Sequence, residues 1–264
     1  TRAFSREMTD GTSSAFLRSR PALAEVEAVQ RALLLAGAAG AKLHLVHLSC
    51  GRSVQLAANA RAAGVDVSIE TCPHYLFFTK DDLARLGTVA KCAPPLRSRR
   101  EREWLWRELM SDHVDIVASD HSPTEPTMKT SDFRLAWGGI AGVQSTLSVL
   151  LTAGDVSVER IAALTSTEPA RRFSIAGKGA LAAGYDADLA IVDPAAEVVL
   201  EASHLQQRHK ISPYLGQRFR GRVRRTIRRG ETIFLDGQVC AGRPGKFVRP
   251  RTSIAEEAHD RRRD

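Results

Sequence analysis

The sequence contains little cysteine, and the cysteines it has are widely spaced. Its four cysteines, Cys50, Cys72, Cys92 and Cys240, form no Cys-x-x-Cys pair. A chain of 264 residues is also large enough to fold without a disulfide framework. This cysteine usage favours a reducing compartment, and we expect a cytoplasmic protein.

Long apolar runs are missing as well. The longest apolar stretch, residues 32–48, is interrupted by two glycines, Lys42 and His44. It therefore falls short of the roughly 18 to 20 apolar residues that a membrane-spanning helix needs. The start shows no basic, apolar and small-residue order typical of secretion, and the first residue is Thr rather than Met. We expect a soluble protein with no membrane partner, and the Thr start suggests a fragment.

Several enzyme signatures are absent from the sequence. There is no Gly-x-Ser-x-Gly elbow, no phosphate-binding loop and no dinucleotide-binding Gly-x-Gly-x-x-Gly after a strand. The net charge is +8, with arginines concentrated in residues 218–229 and 261–263. Such a patch can attract polyanions, but no aromatic residues are interleaved at stacking spacing. A solvated basic face is the favoured interpretation, and we expect no nucleic-acid partner.

Apolar periodicity predicts alternating helices and strands in the first part of the chain. The predicted segments are a helix at 21–40, a strand at 43–48, a helix at 54–63, a strand at 65–70, a helix at 99–110 and a strand at 114–119. A long loop then leads to a further helix after Gly138 and Gly139. After residue 176, glycine turns and short alternating strands at 187–192, 223–227 and 232–235 replace this pattern.

Strands that alternate with helices indicate parallel βαβ units. We count about four strand candidates before the pattern changes, whereas a closed (β/α)8 barrel needs about eight. We therefore predict an α/β fold: an incomplete (β/α)8 TIM-type barrel, its C-terminal half, over residues 1–175. A small β appendage is predicted over residues 176–250, followed by a basic tail over 251–264.

Two polar residues, His47 and Asp120, end different predicted strands. The carboxyl ends of barrel strands form one rim, where catalytic groups collect. Imidazole and carboxylate are suitable zinc ligands, and zinc with an open coordination position lowers the pKa of water to about 7. An aspartate there can also carry a proton to a leaving nitrogen. The alternative is a rim histidine and an aspartate that caps the next turn.

Other residues near this rim have open interpretations. His44, three residues before His47, is expected on the opposite face of its strand as a packed histidine. His74 can be a ligand or a supporting hydrogen-bond donor, and the supporting role is favoured. Cys50 and Cys72 are interpreted as buried thiols rather than nucleophiles.

Two backbone segments are candidate substrate contacts. Pro94 and Pro95 fix an extended chain, so the amide and carbonyl of Ala93 can read the amide edge of a ligand. Gly138 and Gly139, ahead of a predicted helix, can present backbone groups to a substrate. Alternatively, the Pro94-Pro95 segment is only a rigid turn without a ligand contact. Gly138 and Gly139 can likewise be needed only for the conformation of their turn.

Together these segments resemble the cyclic amidohydrolases, the group of dihydroorotase, dihydropyrimidinase and allantoinase. The resemblance covers nearly the whole chain. Its main segments are Arg20-Pro21 with Glu25, LHLVHLS at 43–49, ETCPHY at 70–75, KCAPPLR at 91–97, SDHSP at 119–123 and GYDADL at 184–189. Two further segments look specifically like allantoinases: AWGGIAG at 136–142 and RHKISPYLG at 208–216.

The resemblance implies an enzyme that hydrolyses a small cyclic ureide, in allantoinases the opening of allantoin to allantoate in purine catabolism. It implies that His47 ligates the second ion of a binuclear zinc pair, and that Asp120 ligates the first ion and shuttles the proton. It also implies substrate contacts from the backbones of Ala93 and Gly138, with Ser122 as a weaker candidate. A homo-oligomer is expected.

The sequence departs from the family pattern at its beginning. The family's first ligands, a His-x-His, a carbamylated lysine and a histidine in a His-Ala-Glu-like segment, should precede Thr1. We therefore expect a fragment or truncated gene product of an allantoinase, without a stable two-metal centre of its own. The alternatives are a non-catalytic amidohydrolase-like protein and another cyclic amidohydrolase, namely a dihydropyrimidinase, hydantoinase or dihydroorotase.

Overall fold

The computed structural model describes residues 6–8, 10–240 and 244–250. These residues form one parallel and one antiparallel sheet, covered by helices. The predicted basic tail, residues 251–264, lies outside the described residues. No helix in the described ranges is long and apolar enough to cross a bilayer.

Three short strands form the parallel sheet, in the order β1-β2-β3. They are β1 (Leu43–Leu45), β2 (Val67–Thr71) and β3 (Ile116–Val117). An isolated parallel bridge joins His121 to Ile140 further along the chain. The predicted parallel α/β arrangement is confirmed, with strands shorter than the apolar runs. The incomplete barrel itself stays a prediction.

Helices connect and cover these strands. They are α1 (Ser13–Arg18), α2 (Ala22–Ala39), α3 (Gly51–Ala62), α4 (Pro73–Phe77), α5 (Lys80–Leu86), α6 (Arg99–Met110), α7 (Thr146–Ala153), α8 (Val158–Ala162) and α9 (Glu168–Arg172). Short 3₁₀ segments lie at Gly87–Ala90, Pro126–Met128, Val143–Ser145 and Ala202–His204, and a π-helical segment at Ala163–Thr167.

The ends of two predicted helices follow from single residues. Helix α2 begins after Pro21 and ends at Gly40, whose φ of 61° lies in the left-handed region that glycine adopts at low cost. Helix α6 begins after Ser98, whose side chain accepts a hydrogen bond from the N–H of Glu101. Both helices lie where apolar periodicity predicts them.

One partly buried ion pair ties a crossover helix to the sheet. Arg61 of α3 donates to the carboxylate of Asp115, just before β3, at 2.8 Å. The same carboxylate accepts the backbone N–H of Ile69 in β2 at 2.8 Å. The helix and the edges of two strands are therefore held together by one carboxylate.

The second sheet is antiparallel, in the order β4-β5-β6-β7. Its strands are β4 (Leu189–Val199), β5 (Arg218–Arg228), β6 (Glu231–Leu235) and β7 (Gln238–Val239). Sequence reasoning ends the first strand at residue 192, before Pro194. The strand instead continues through a register shift between Asp193 and Glu197, where a proline is tolerated because the ladder is already interrupted.

Aromatic side chains join the two sheets into one core. The ring of Phe78, next to α4, lies 4.9 Å from that of Tyr214, and Phe77 lies 5.5 Å from Phe219 of β5. All four residues belong to, or pack against, the same buried cluster. The division of the chain between residues 175 and 176 stays a prediction.

Candidate functional site

Polar residues follow each parallel strand at the same end of the sheet. His47 comes two residues after β1, Cys72 directly follows β2, and Asp120 comes three residues after β3. Because the strands are parallel, their carboxyl ends lie on one side, which is the functional side of α/β sheets. The sheet order places the end of β2 between His47 and Asp120.

Three side chains at this end come together in a group that we call the rim triad: Cys72, His74 and Asp120. The Cys72 Sγ, one ring nitrogen of His74 and one carboxylate oxygen of Asp120 lie within 4.8 Å of one another. Cys72 and His74 are buried, whereas Asp120 is exposed. The triad therefore has a dry interior and one side open to solvent.

His74 is an unusual buried histidine. It is only 1% exposed, and neither ring nitrogen has a hydrogen-bond partner within the described part of the chain. Its ring packs edge-on against Tyr75, with 4.2 Å between centroids. Burial, with a smaller contribution from His47, lowers the pKa of His74 to about 3, so the imidazole is neutral at pH 7. The hydrogen-bonding role predicted for this residue stays a prediction.

Burial and the carboxylate of Asp120 both oppose ionisation of the Cys72 thiol. Burial raises the pKa of the Cys72 thiol well above its usual value, and the carboxylate of Asp120 raises it further. A divalent cation would reverse this effect, because it stabilises thiolate and carboxylate together. A neutral imidazole without a partner, a thiol and a carboxylate are donors that zinc accepts, so these residues fit a metal ion.

Sequence reasoning missed Cys72 as a member of this group. Three elements bring the triad together: Cys72 ends β2, His74 lies on the single turn of α4, and Asp120 follows the neighbouring strand. The signal in the sequence was the position of Cys72 directly after an apolar strand and two residues before His74.

The chain after His47 is held by a buried ionic network. The carboxylate of Glu25, on α2, accepts hydrogen bonds from the backbone N–H of Ser49 at 3.0 Å and from the guanidinium of Arg97 at 3.2 Å. Arg97 also donates to the hydroxyl of Ser49 at 2.8 Å. The side chains of Arg97 and Glu25 are only 9% and 8% exposed. The network fixes the segment that carries His47 to α2, and sequence reasoning did not find it.

His44 is occupied elsewhere, as expected for a packed histidine. Its Nδ1 lies 2.7 Å from the hydroxyl of Ser68, and its Nε2 lies 3.2 Å from the carboxylate of Glu70. Its ring also packs edge-on against Phe173. Both ring nitrogens therefore have partners on β2, in contrast to those of His74.

The predicted substrate residues Ser122 and Gly138 lie on neighbouring segments. A side chain at Gly139 would overlap Ser122, so these two residues are in direct contact. The ammonium of Lys129 donates to the carbonyl oxygens of Trp137 at 3.1 Å and Gly139 at 2.7 Å. Exposed Gly138 therefore sits between two anchored carbonyls.

The predicted helix does not begin directly after Gly139. Ile140 forms the parallel bridge to His121, a 3₁₀ turn follows at Val143–Ser145, and α7 begins only at Thr146. The expectation that the glycines lie at a helix N-terminus is therefore wrong, because strand-like pairing takes up the residues after them. Any ligand contact by Gly138 must come from a loop.

Ala93 lies on a second anchored segment. It is exposed, and the peptide bond between Ala93 and Pro94 is cis. The Tyr75 hydroxyl donates to the carbonyl oxygen of Pro94 at 2.8 Å. Tyr75 thus connects this segment to α4, which also carries His74.

Known proteins resemble this chain over most of its length. A model described as the amidohydrolase family matches residues 18–234, and the chain belongs to this family. The allantoinases of Solibacter usitatus (strain Ellin6076) and Rubrobacter xylanophilus (strain DSM 9941) are each 54% identical to it, over 243 and 246 residues. These matches cover 90% and 91% of this chain but 53% and 54% of the relatives. The chain thus spans about half the length of the curated relatives it matches.

A solved structure supports the same assignment. The L-hydantoinase (dihydropyrimidinase) from Arthrobacter aurescens matches with a TM-score of 0.87 and 34% sequence identity. The match covers 91% of this chain and 56% of that protein. The predicted resemblance to cyclic amidohydrolases, and to allantoinases among them, is confirmed.

Proposed function

We propose that the protein containing this chain is an allantoinase, which hydrolyses the cyclic amide of allantoin to allantoate in purine catabolism. The observation that carries the proposal is 54% identity over 243 residues to an allantoinase. We further propose that the protein is cytoplasmic, uses zinc and forms a homo-oligomer, as the resemblance implies.

His47 and Asp120 are the proposed metal ligands for this reaction, His47 for the second ion and Asp120 for the first. Their positions after parallel strands, at the same end of the sheet, support the assignment. Zinc, when bound, supplies Lewis acidity to the substrate carbonyl and lowers the pKa of water.

Asp120 is the proposed proton carrier. Its carboxylate is exposed, so water and substrate can reach it. It takes one proton from the attacking water while the water oxygen bonds to the carbonyl carbon of the ring. It then gives that proton to the ring nitrogen as the C–N bond breaks, leaving a ureido group and a carboxylic acid, which releases its remaining proton to solvent as the carboxylate forms.

Backbone groups are proposed to orient the ring. A cyclic ureide presents N–H and C=O groups side by side, which exposed backbone at Ala93 and Gly138 can pair with. Ser122, in contact with Gly139, is the weaker candidate for a further hydrogen bond. Anchoring by Tyr75 and Lys129 supports this assignment, because fixed donors and acceptors lose little entropy on binding.

The substrate test offers the full-length gene product allantoin, dihydrouracil, hydantoin and dihydroorotate side by side. We expect the highest kcat/KM with allantoin. Preference for dihydrouracil or hydantoin would replace the proposal by the dihydropyrimidinase alternative, which the fold match to a hydantoinase favours. Preference for dihydroorotate would overturn it equally.

The residue test compares two histidines on one strand segment. His47→Gln should lower kcat by at least about tenfold, the loss that even an outer metal partner can cause. His44→Gln is the matched control, because His44 is engaged by Ser68 and Glu70. Asp120→Asn should lower kcat by about 10²- to 10⁴-fold, the range for a lost proton carrier. Equal kcat in both histidine variants would exclude His47 as a ligand.

A further inference from the structure

The rim triad is more than a set of buried side chains. We propose that Cys72, His74 and Asp120 together bind a single zinc ion, one ligand atom from each residue. This site goes beyond the proposed function, which pairs Asp120 with His47, and it shares only Asp120 with that pair.

The distances within the triad are compatible with one ion. Zinc binds sulfur at about 2.3 Å and imidazole or carboxylate at about 2.0–2.2 Å, so ligand atoms of a tetrahedral site lie about 3.5 Å apart. The three atoms already lie within 4.8 Å of one another. Side-chain movements of about an ångström therefore close the site around an ion of this size.

His74 provides the independent observation that points to a ligand. A buried polar group without a partner destabilises a fold, and native proteins rarely keep one without a reason. Both nitrogens of the His74 ring are in this state within the described ranges, although the residue is 1% exposed. One of them belongs to the triad, where an ion would give it a partner.

The donor set defines the class of ion. A thiolate, an imidazole and a carboxylate together favour zinc over magnesium or calcium, which prefer oxygen ligands alone. Binding releases the Cys72 thiol proton to solvent, and the metal–sulfur bond replaces it. Three protein ligands leave a fourth position open on the exposed side of Asp120, the arrangement of reactive rather than structural zinc sites.

The position of the triad explains why His47 lies outside it. Cys72 and His74 follow β2, which pairs directly with β3 and hence adjoins Asp120. His47 follows β1, on the other side of β2. A cation held by the triad therefore occupies the end of β2 and β3, beside the proposed position of the His47 ligand.

The test is a cobalt titration of the metal-free 264-residue chain, because thiolate-bound cobalt absorbs in the near ultraviolet. We expect this absorption in the unaltered chain, its loss in Cys72→Ser and its retention in Cys92→Ser, a control at another buried cysteine. His74→Gln should weaken cobalt binding by at least about tenfold. Absence of the absorption in the unaltered chain, or its persistence in Cys72→Ser, overturns the site.

Two further measurements keep the test decisive if a buried variant fails to fold. Zinc X-ray absorption of the unaltered chain should show one sulfur neighbour at about 2.3 Å, and a shell of nitrogen and oxygen alone contradicts the proposal. His47→Gln should retain the cobalt–thiolate absorption even where it abolishes allantoin hydrolysis by the full-length gene product. Loss of cobalt binding in His47→Gln with retention in Cys72→Ser assigns the ion to the His47–Asp120 pair and overturns the triad.

Discussion

His47 and Asp120 share the same rare backbone conformation. Their φ angles are 46° and 44°, both in the left-handed region, and each residue follows a parallel strand at the same end of the sheet. Residues other than glycine pay a steric cost there, although histidine, asparagine and aspartate tolerate it better than most. Retained strain of this kind concentrates at functional positions. The two proposed ligands thus have a common local geometry that sequence spacing alone does not reveal.

The strain at Asp120 can be measured directly, since the residue is exposed and loses little packing when replaced. Asp120→Asn should change the free energy of unfolding by less than about 0.5 kcal/mol. Asp120→Val should lower it by about 1–2 kcal/mol, because a β-branched side chain resists positive φ. Urea denaturation gives both values. The same pair of substitutions at exposed Asp155 is the control, and a valine cost equal at both sites would show that strain at Asp120 is absent.

The buried pair of Arg97 and Glu25 should be essential for stability. Arg97→Met leaves the Glu25 carboxylate without its cation, which costs about 3–5 kcal/mol for a buried pair. The double variant with Glu25→Leu should recover much of this loss, since no unpaired charge remains. Arg31→Met is the control, because Arg31 and Glu27 are 66% and 61% exposed. A loss below about 1 kcal/mol in Arg97→Met, the value for exposed pairs, would contradict the network's role.

Contact between α7 and the antiparallel sheet should depend on Gly221. Its φ is 87°, and a Cβ atom there would overlap Leu151 of α7. Gly221→Ala should therefore cost more than Gly216→Ala, since Gly216 has a φ of 77° but nothing near its missing Cβ. We expect the difference in unfolding free energy to be about 1–3 kcal/mol, the usual cost of overpacking. Leu151→Ala should reduce that difference in the double variant, and equal costs at both glycines would refute the packing argument.

Lys129 should titrate well below the usual pH range of a lysine. Burial lowers its pKa from 10.5 to about 8, so the folded chain releases this proton earlier than the unfolded chain. Between those two values the unfolded chain binds more protons, and stability rises with pH relative to Lys129→Met. The ¹³Cε signal of Lys129 should shift with a midpoint of about 8. A midpoint at the usual lysine value would mean that its carbonyl partners outweigh burial.

The 264-residue chain should bind less than a full pair of zinc ions and hydrolyse allantoin negligibly. His47 and Asp120 alone do not make a stable two-metal centre, and the rim triad holds a single ion, because affinity depends on ligand number and support. Metal analysis after purification without chelators measures the ratio of zinc to chain. Two tightly held ions per chain would contradict this expectation.

Local signals in the sequence predicted much of the fold. The limits of α2 follow from Pro21 and Gly40, and α6 occupies the predicted residues. The ends of the strands were harder to predict from the sequence. The predicted strand spans residues 114–119, but only Ile116–Val117 find a ladder partner in β2. Strand length therefore depends on the neighbouring strand, which composition does not report.

The candidate site could be predicted only in part, because it too depends on contacts between segments that are distant in the sequence. His47 and Asp120 could be selected because each follows an apolar run. The partners of Glu25 lie 24 and 72 residues away along the chain, at Ser49 and Arg97. Cys72 joins Asp120 only because β2 pairs with β3. Such contacts depend on strand order, which a single sequence does not specify.

The most direct test of the central claim, a metal-dependent cyclic amidohydrolase, is allantoin hydrolysis by the full-length gene product in three states. The protein is assayed as purified, after removal of metal by a chelator, and after zinc is restored. We predict activity in the first state, its loss in the second and its recovery in the third. Undiminished hydrolysis by the metal-free protein would contradict the account.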